Sequence, residues 1–344
     1  MKIAVLAGGI STERDVSLVS GREIYKALKK KGHDVLLLDV YLGVETPSIG
    51  DIFSRGDEFL PKTDEVKEES PDLEAVKAMR KDGGKTFFGP NVLEICKRAD
   101  VVFIALHGEN GENGKIQAAF DLHAVTYTGT DSVSAALAMD KALTKEILTY
   151  YNIKTPKGYH LKKGETDTQR PEFPAVVKVT NGGSSVGVYI AGGETEYENA
   201  KKEAFALGNE ILVEQYIKGR EFSVGVIDGK ALPVIEIAPA ARFFDYKSKY
   251  QSGASTETCP ADLSEELTEK MQDTAERVFK ALRLTQYARM DIIMDAEENM
   301  YCLEANTHPG MTPGSLLPKE AKAAGISFED LCEMLTDMAR AKKR

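Results

Sequence analysis

Three features of this sequence predict an α/β protein that opens on an open parallel, Rossmann-like sheet and continues into an antiparallel part. Residues 3–6 and 34–40 (DVLLLDV) are apolar nearly throughout and flank a helical stretch carrying Val16, Val19, Ile24, Ala27 and Leu28. Strands without alternation belong to parallel sheets covered on both faces. Residues 174–179, 210–217, 221–227 and 232–237 are short, tightly spaced strands, which suits an antiparallel sheet. The chain is 344 residues long, and at roughly 100–200 residues per domain it holds two or three domains.

The elements follow in order. Ala7-Gly8-Gly9 breaks the first strand and Gly32 ends the first helix. Residues 43–90 carry Pro47, Pro61, Pro71, Pro90 and Gly83-Gly84, so they read as a variable surface excursion with one helix near 72–81. Residues 101–108 (VVFIALHG) return to a buried strand that runs into a loop with glycines at 108, 111 and 114. One helical stretch covers 132–151, and NIKTPKGY is a linker. The polar, aromatic-rich stretch 241–260 is a long loop of the kind that is functional in compact domains. A helix at 264–284 precedes two strands around the turn 295–299, and helices near 318–324 and 327–342 close the chain.

Composition narrows the function. With 28% charged residues and a formal net charge of −10, and with AKKR at the terminus the only basic run, the chain lacks a nucleic-acid footprint. No run of 18 apolar residues predicts a membrane span, and the opening MKIAVLAGGIST reads as a strand rather than a signal peptide. Cys96, Cys259, Cys302 and Cys332 form no C-x-x-C pair, so four reduced thiols in a cytoplasmic protein are expected.

Two stretches point to phosphate chemistry. KVTNGGSSVG (178–187) lies between two strands; its glycines let backbone N–H groups approach an anion and its serines add donors. A tight hairpin turn needing glycine accounts for it equally well, and it is neither a Walker A nor a G-x-G-x-x-G sequence. In the late strand pair, alternation puts Arg289, Asp291 and Ile293 on one face. If Met294 faces Tyr301, Asp291 falls opposite Glu304 and Arg289 opposite Asn306, with Met290, Ile292, Met294 and Leu303 turned to the core. Two carboxylates and an amide are hard oxygen ligands, the set that binds Mg²⁺ with substrate phosphates, although a surface salt bridge would use the same residues. His107 sits at the carboxyl end of a parallel strand, where open α/β sheets bind ligands; histidines 33, 123, 160 and 308 earn no such reading. Glu13 follows the first strand, and Thr12-x-x-Asp15 could instead be a capping box.

Taken together, AGGISTERDVSLVSG (7–21), ALHGENGENG (105–114), MDKALTK (139–145), VKVTNGGSSVGV (177–188), EQYIKGREFSV (214–224), FFDYKSKY (243–250), RMD (289–291) and LEANTHPGMTPGSLLP (303–318) resemble the D-alanine–D-alanine ligase family of ATP-grasp enzymes. The motifs lie in family order and cover nearly the whole chain apart from 43–90. The resemblance implies a three-domain ATP-grasp fold: a pre-ATP-grasp domain over 1–129, a central subdomain over 130–214 and a C-terminal subdomain over 215–344. It implies that one D-alanine carboxylate is phosphorylated by ATP and that the amine of a second D-alanine then displaces phosphate, making D-alanyl-D-alanine for peptidoglycan.

The residue roles it implies are as follows. Lys141, Lys178 and Lys249 contact phosphates, and Ser184 and Ser185 lie over them. Asp291, Glu304 and Asn306 hold two Mg²⁺, with Mn²⁺ able to substitute. Arg289 and the Gly310 N–H stabilise the tetrahedral intermediate. Glu13 holds the first ammonium with His107 nearby, and Glu13, Ser184 and Tyr250 form a hydrogen-bonded set closing the 241–260 loop. Ser315 and Leu316 meet the second substrate, while Glu214, Gln215, Ile217 and Glu221 contact adenine and ribose. A homodimer is also implied. Gln215, Asn113, His308 and Gly314 depart from the usual pattern. Leu316 and Tyr250 follow the D-alanine pattern rather than that of the D-lactate and D-serine relatives. Another ATP-grasp carboxylate–amine ligase and a non-catalytic nucleotide sensor are the rivals; a nicotinamide dehydrogenase is remote without its glycine fingerprint.

Overall fold

The computed structural model describes residues 1–61, 71–183, 186–239 and 255–342. It divides into two compact units. The first comprises residues 1–135, 285–288 and 307–344, and the second residues 136–284 and 289–306.

The first unit is built on a three-stranded parallel sheet in the order β2-β1-β3, from β1 (Lys2–Ala7), β2 (Asp34–Asp39) and β3 (Val101–Ile104). Its strands are buried almost without interruption, as their lack of alternation predicts. Helix α1 (Arg14–Lys30) packs on β1 and β2 and against the chain's last helix, Phe328–Ala341. Lys30 pairs with Glu329 at 2.7 Å and Lys31 with Glu333 at 2.9 Å along that seam. The opposite core gathers Leu6, Leu38, Val102, Ile104, Phe120 and Tyr127.

The excursion 43–90 is more than surface. A 3-10 turn (Gly56–Phe59) and the short α2 (Leu73–Ala78) interrupt it, and Val44, Ile52 and Phe53 are buried in the same core. Proline and glycine density concealed these anchors, because the apolar residues are too few and too scattered to show a period. After α3 (Val92–Cys96) and β3 come α4 (Glu109–Glu112) and α5 (Lys115–Leu122).

The expected single helix over 132–151 is two, α6 (Ser132–Met139) and α7 (Lys141–Tyr150). Asp140 separates them: its carboxylate accepts from the backbone N–H groups of Ala142 and Leu143, capping α7.

The second unit carries two antiparallel sheets. The first has the order β4-β7-β5-β6, from β4 (Gly158–Lys162), β5 (Ala175–Val179), β6 (Val188–Ala191) and β7 (Glu210–Gln215). Strand β4 begins inside the expected linker; Gly158 sits so close to the β7 backbone that a Cβ there would lie 2.3 Å from the Val213 carbonyl oxygen. Helix α8 (Glu194–Leu207) covers one face, burying Tyr197, Ala200 and Ala204 against Val177, Ile211 and Val213. Alternation then turns Val176, Lys178 and Glu214 to the other face.

The second sheet has the order β11-β10-β8-β12-β13, with β9 (Lys230–Ala231) paired to β8. Its strands are β8 (Arg220–Ile227), β10 (Ile235–Pro239), β11 (Ser255–Thr258), β12 (Tyr287–Met294) and β13 (Met300–Asn306). Strand β11 occupies the end of the expected 241–260 loop; residues 240–254 lie outside the described residues. Helix α9 (Glu265–Ala281), capped by Ser264, packs on β8 and β13. Helix α10 (Leu316–Ala323) and the last helix, α11, belong to the first unit.

The β12–β13 hairpin differs from expectation at its turn. Met294 pairs with Met300, not Tyr301, and Ile292 with Cys302. A bulge follows, and beyond it Asp291 pairs with Glu304 and Arg289 with Asn306, as expected. Leu303 is the extra residue. It is half-buried and lines a cavity beside its neighbour Glu304, instead of facing the core with Met290 and Ile292, because a bulge places two successive side chains on one face.

Among the described residues no helix is long and apolar enough to cross a membrane. None of the four cysteines is in a disulfide among the described residues; Cys96, Cys302 and Cys332 are buried and Cys259 is half-buried.

Candidate active site

In the second unit the inner faces of the two sheets line a cavity of about 400 Å³. Its apolar lining includes Val176, Val188, Ile190, Ile217, Ile237 and Leu303; its charged lining includes Lys141, Lys178, Glu214, Glu221, Asp291 and Glu304, with the ion pair of Arg220 and Glu236. A concave, mainly apolar site with a few convergent charges is what a small-molecule ligand requires. Exposed Gln215 lines it too. Of the residues expected to meet a nucleotide, Lys141, Lys178, Glu214, Gln215, Ile217 and Glu221 therefore share one cavity.

The charges are paired with one another. Arg289 donates to both carboxylate oxygens of Asp291, Nε to Oδ1 and Nη2 to Oδ2, each at 2.8 Å. This bidentate form is the strong one for a guanidinium. Asn306 donates from Nδ2 to Asp291 Oδ2 at 3.0 Å. Lys141 Nζ donates to the Gly182 carbonyl at 2.6 Å and lies 3.3 Å from Glu304 Oε2. Asp291 and Glu304 face each other across the strand pair, with Asn306 bonded to Asp291. These two carboxylates and one amide form a hard-oxygen donor set suited to a divalent cation bound with phosphate.

Glu214 is buried between two lysines. Lys178 reaches Oε1 at 2.6 Å and Lys145 reaches Oε2 at 2.7 Å. Burial raises the Glu214 carboxyl, but Lys178 and Lys145 together outweigh it and hold the group below the ordinary carboxylate range. Burial lowers the Lys145 ammonium, with Glu214 opposing that shift. Lys145 was not singled out in the sequence. Its signal was there: it lies four residues after Lys141, one turn along the same helix face.

The first unit holds a second group of expected residues. The N-cap of α1 is buried Glu13 rather than Thr12, so the helix does not start on the expected Thr12–Asp15 box, and the Glu13 side chain makes no capping bond. Ser11 Oγ instead accepts from the Glu13 N–H at 3.3 Å and donates to the His107 carbonyl at 2.8 Å. Gly108, at φ +81°, approaches so near that a Cβ there would stand 3.1 Å from Glu13 Oε2. Next to Glu13, Arg14 donates to the Gly9 carbonyl at 2.6 Å and pairs with Asp39, which also accepts from the N–H groups of Tyr41 and Leu42. Gly8, at φ +75°, makes room for that carboxylate: a Cβ would lie 2.6 Å from Asp39 Oδ2.

His107 is buried and both of its ring nitrogens are engaged. Nδ1 lies 3.0 Å from the His308 carbonyl, which can only accept, so Nδ1 carries the proton. Nε2 then accepts from the Ser20 hydroxyl at 3.2 Å. His308, marked in the sequence only as a departure from the family pattern beside the second substrate's expected site, is buried next to His107. Its Nε2 accepts from Gln117 at 3.0 Å, and Gln117 also donates to the Gly111 carbonyl at 2.8 Å. Burial, with His107 adding to it, pulls His308 down to about 3. Ser315 caps the start of α10 and its Oγ accepts from the Thr312 N–H at 3.1 Å. Leu316 opens that helix half-buried, and a Cβ at Gly310 would stand 2.9 Å from Ser315 Oγ. Ser184, Ser185, Lys249 and Tyr250 lie outside the described residues, as does the set joining Tyr250 and Ser184 to Glu13.

Comparison with known proteins adds to this geometry. The family model for the D-ala D-ala ligase N-terminus matches residues 2–130, and that for the D-ala D-ala ligase C-terminus matches residues 147–337. The chain is 45% identical to a D-alanine–D-alanine ligase of Pediococcus pentosaceus over 97% of this chain and 96% of that one. It is 41% identical to one of Lacticaseibacillus casei over 96% and 93%. Among solved structures, the Bacillus anthracis D-alanine–D-alanine ligase complexed with ATP is similar at a TM-score of 0.74 and 30% identity, covering 98% of this chain and 97% of that one. The Coxiella burnetii ligase is similar at 0.76 and 27% identity, covering 99% and 94%.

Proposed function

The chain belongs to the D-alanine–D-alanine ligase family, and from that premise we propose that it joins two D-alanines at the cost of ATP, forming D-alanyl-D-alanine, ADP and phosphate for peptidoglycan synthesis. The observation that carries this reading is the cavity in which Lys141, Lys178, Glu214, Asp291 and Glu304 converge, in a chain whose two halves both match the family. That a similar ligase is complexed with ATP supports ATP as the nucleotide.

The chemistry follows from the substrates. A carboxylate is a poor electrophile. One oxygen of the first D-alanine carboxylate attacks the γ-phosphorus, the bond to the β-bridging oxygen breaks, and ADP leaves. The second D-alanine's amine attacks the acyl phosphate carbonyl, loses a proton, and phosphate departs with the oxygen that made the attack.

Transfer of this kind depends on positioning and on cations around the phosphoryl oxygens. Lys141 and Lys178 supply fixed positive charge in the cavity, with Lys249, Ser184 and Ser185 as further phosphate contacts. Glu214, Gln215, Ile217 and Glu221 hold adenine and ribose. Asp291, Glu304 and Asn306 would hold two Mg²⁺, or Mn²⁺, which when bound supply charge neutralisation for the transferring phosphoryl group. Arg289 and the Gly310 N–H stabilise the oxyanion of the tetrahedral intermediate. Glu13 takes the first ammonium.

His107, with both nitrogens engaged inside the protein, supports this site by holding the His308 backbone and Ser20. Ser315 and Leu316 serve the second substrate, and Tyr250, with Ser184 and Glu13, closes the loop over the reacting groups. The two sheets of the second unit act as the two ATP-grasp halves, and the protein is a cytoplasmic homodimer.

Leu316 offers no partner for a hydroxyl, which supports D-alanine rather than D-serine as the second substrate; an apolar pocket discriminates by about 1–3 kcal/mol. The test is ADP release with Mg²⁺-ATP and D-alanine, alone and with D-serine or D-lactate. Release with D-alanine alone is expected. Release that needs a different amino acid would move the chain to another carboxylate–amine ligase reaction.

A further inference from the structure

Lys145 is nearly buried, its side chain 9% exposed, and it does not line the cavity. It stands one turn beyond Lys141 on α7 and makes two polar contacts, to Glu214 Oε2 at 2.7 Å and to Thr155 Oγ1 at 3.0 Å. Glu214 in turn uses its other oxygen on Lys178, and both of those residues do line the cavity. A carboxylate placed beside Lys178 alone would cancel its charge. With Lys145 behind it, two ammonium groups meet one carboxylate and the buried triad keeps a single net positive charge. That charge belongs on the cavity side, because Lys145 is boxed in by Glu214 and Thr155 while Lys178 is the ammonium group that lines the cavity. Thr155 fixes the arrangement: its hydroxyl accepts from Lys145 and holds the ammonium in place.

We propose that Lys145 is a positioning residue for nucleotide binding: it neutralises Glu214 from behind, so that Lys178 keeps its charge for the phosphates. This rests on the reading of the cavity as the ATP site. It adds a residue that touches neither nucleotide nor amino acid, yet sets the charge that the phosphates meet.

The test is calorimetric binding of ADP and of adenosine, in Mg²⁺ buffer, to the full chain and to Lys145→Met and Thr155→Val. Methionine keeps the packing volume and removes the charge. The expected result is a loss of ADP affinity of tenfold or more in Lys145→Met, a two- to fivefold loss in Thr155→Val, and a change of less than threefold for adenosine in both. The phosphate-dependent loss is the signature, since a residue that merely held the fold would weaken adenosine and ADP alike.

Unchanged ADP affinity in a folded Lys145→Met, or equal losses for the two ligands, overturns the proposal. If Lys145→Met fails to fold, Thr155→Val decides by the same ratio. Wild-type chain that binds no ADP overturns it together with the cavity assignment. Wild-type chain that binds ADP without D-alanine-dependent turnover overturns the ligase reading alone, while the ADP-to-adenosine ratio still decides on Lys145.

Discussion

In the first unit, Glu13 and His107 are set in place by a frame that is complete within the protein. Arg14 and Asp39 pair under the Gly8-Gly9 loop, the Asp39 carboxylate takes two backbone N–H groups, and His107 spends both nitrogens on Ser20 and the His308 carbonyl. In the second unit, Asp291, Glu304 and Glu214 line the cavity and each is paired with a cation: Asp291 with Arg289, Glu304 with Lys141, and Glu214 with Lys178 and Lys145. Under the proposed function, the contrast teaches how one chain would serve two kinds of ligand. A small zwitterion needs a rigid pocket edge, which the hydrogen bonds and the buried Arg14–Asp39 pair around Glu13 would give it. A polyanion with its cations needs charge that can be redirected, and pairs that already neutralise each other keep that charge folded and buried until a ligand takes it up. Where the pairing is fully buried, as between Arg14 and Asp39 and between Glu214 and its two lysines, leaving a member unpaired is strongly destabilising; Lys141 keeps the Gly182 carbonyl when Glu304 is removed.

The sharpest way to break this comparison is to remove an acid from the second unit that is meant for ligand rather than for fold. Glu304→Ala should cut ADP formation by about three orders of magnitude, roughly 4 kcal/mol of transition-state stabilisation, while far-UV circular dichroism and Tm stay close to wild type. Retained turnover would end its assignment as a metal ligand.

Glu214→Gln should instead cost about 3–5 kcal/mol of stability, since it leaves Lys145 and Lys178 buried without their counter-charge. Urea unfolding measures it. The same residue gives a pH signature. The folded Glu214 carboxyl lies below its ordinary value of about 4.5. Its stabilisation is therefore fully present above about pH 4.5 and is lost as pH falls toward and through the lower folded value. Wild type should lose stability more steeply than Glu214→Gln in that acid range, and parallel curves would contradict the triad.

In the first unit, Asp39→Asn should raise the KM for D-alanine about tenfold, some 1.4 kcal/mol, with nucleotide affinity unchanged, because it loosens Arg14 beside Glu13. An equal loss of ADP affinity would erase the distinction between the units. The smallest effect belongs to Ser20→Ala, which removes one hydrogen bond to His107 and should cost about 1 kcal/mol of stability.

Much of this was readable in residues. The parallel sheet announced itself because β1, β2 and β3 are apolar on both faces, and the pairing of Asp291 with Glu304 followed from strand alternation. That pairing survived a wrong expectation at the hairpin turn only because the bulge at Leu303 adds one residue and restores the register. A bulge has no sequence period, so it could not be read. The split at Asp140 was missed because the helical pattern on either side is continuous, and only the cap reveals the break. Ile52 and Phe53 lay hidden among prolines and acids. His308 was marked in the sequence only as a departure from the family pattern, and Lys145 could have been noticed only by its spacing from Lys141; their partners, Gln117 and Glu214, lie more than a hundred and nearly seventy positions away, and no local pattern encodes such a contact.

The most direct test of the account is the fate of oxygen. D-alanine labelled with ¹⁸O in its carboxylate should, with Mg²⁺-ATP and this protein, yield D-alanyl-D-alanine and inorganic phosphate carrying one ¹⁸O, both read by mass spectrometry, because the attacking oxygen leaves with the phosphate. Phosphate without label, or the appearance of AMP and pyrophosphate in place of ADP, would contradict it.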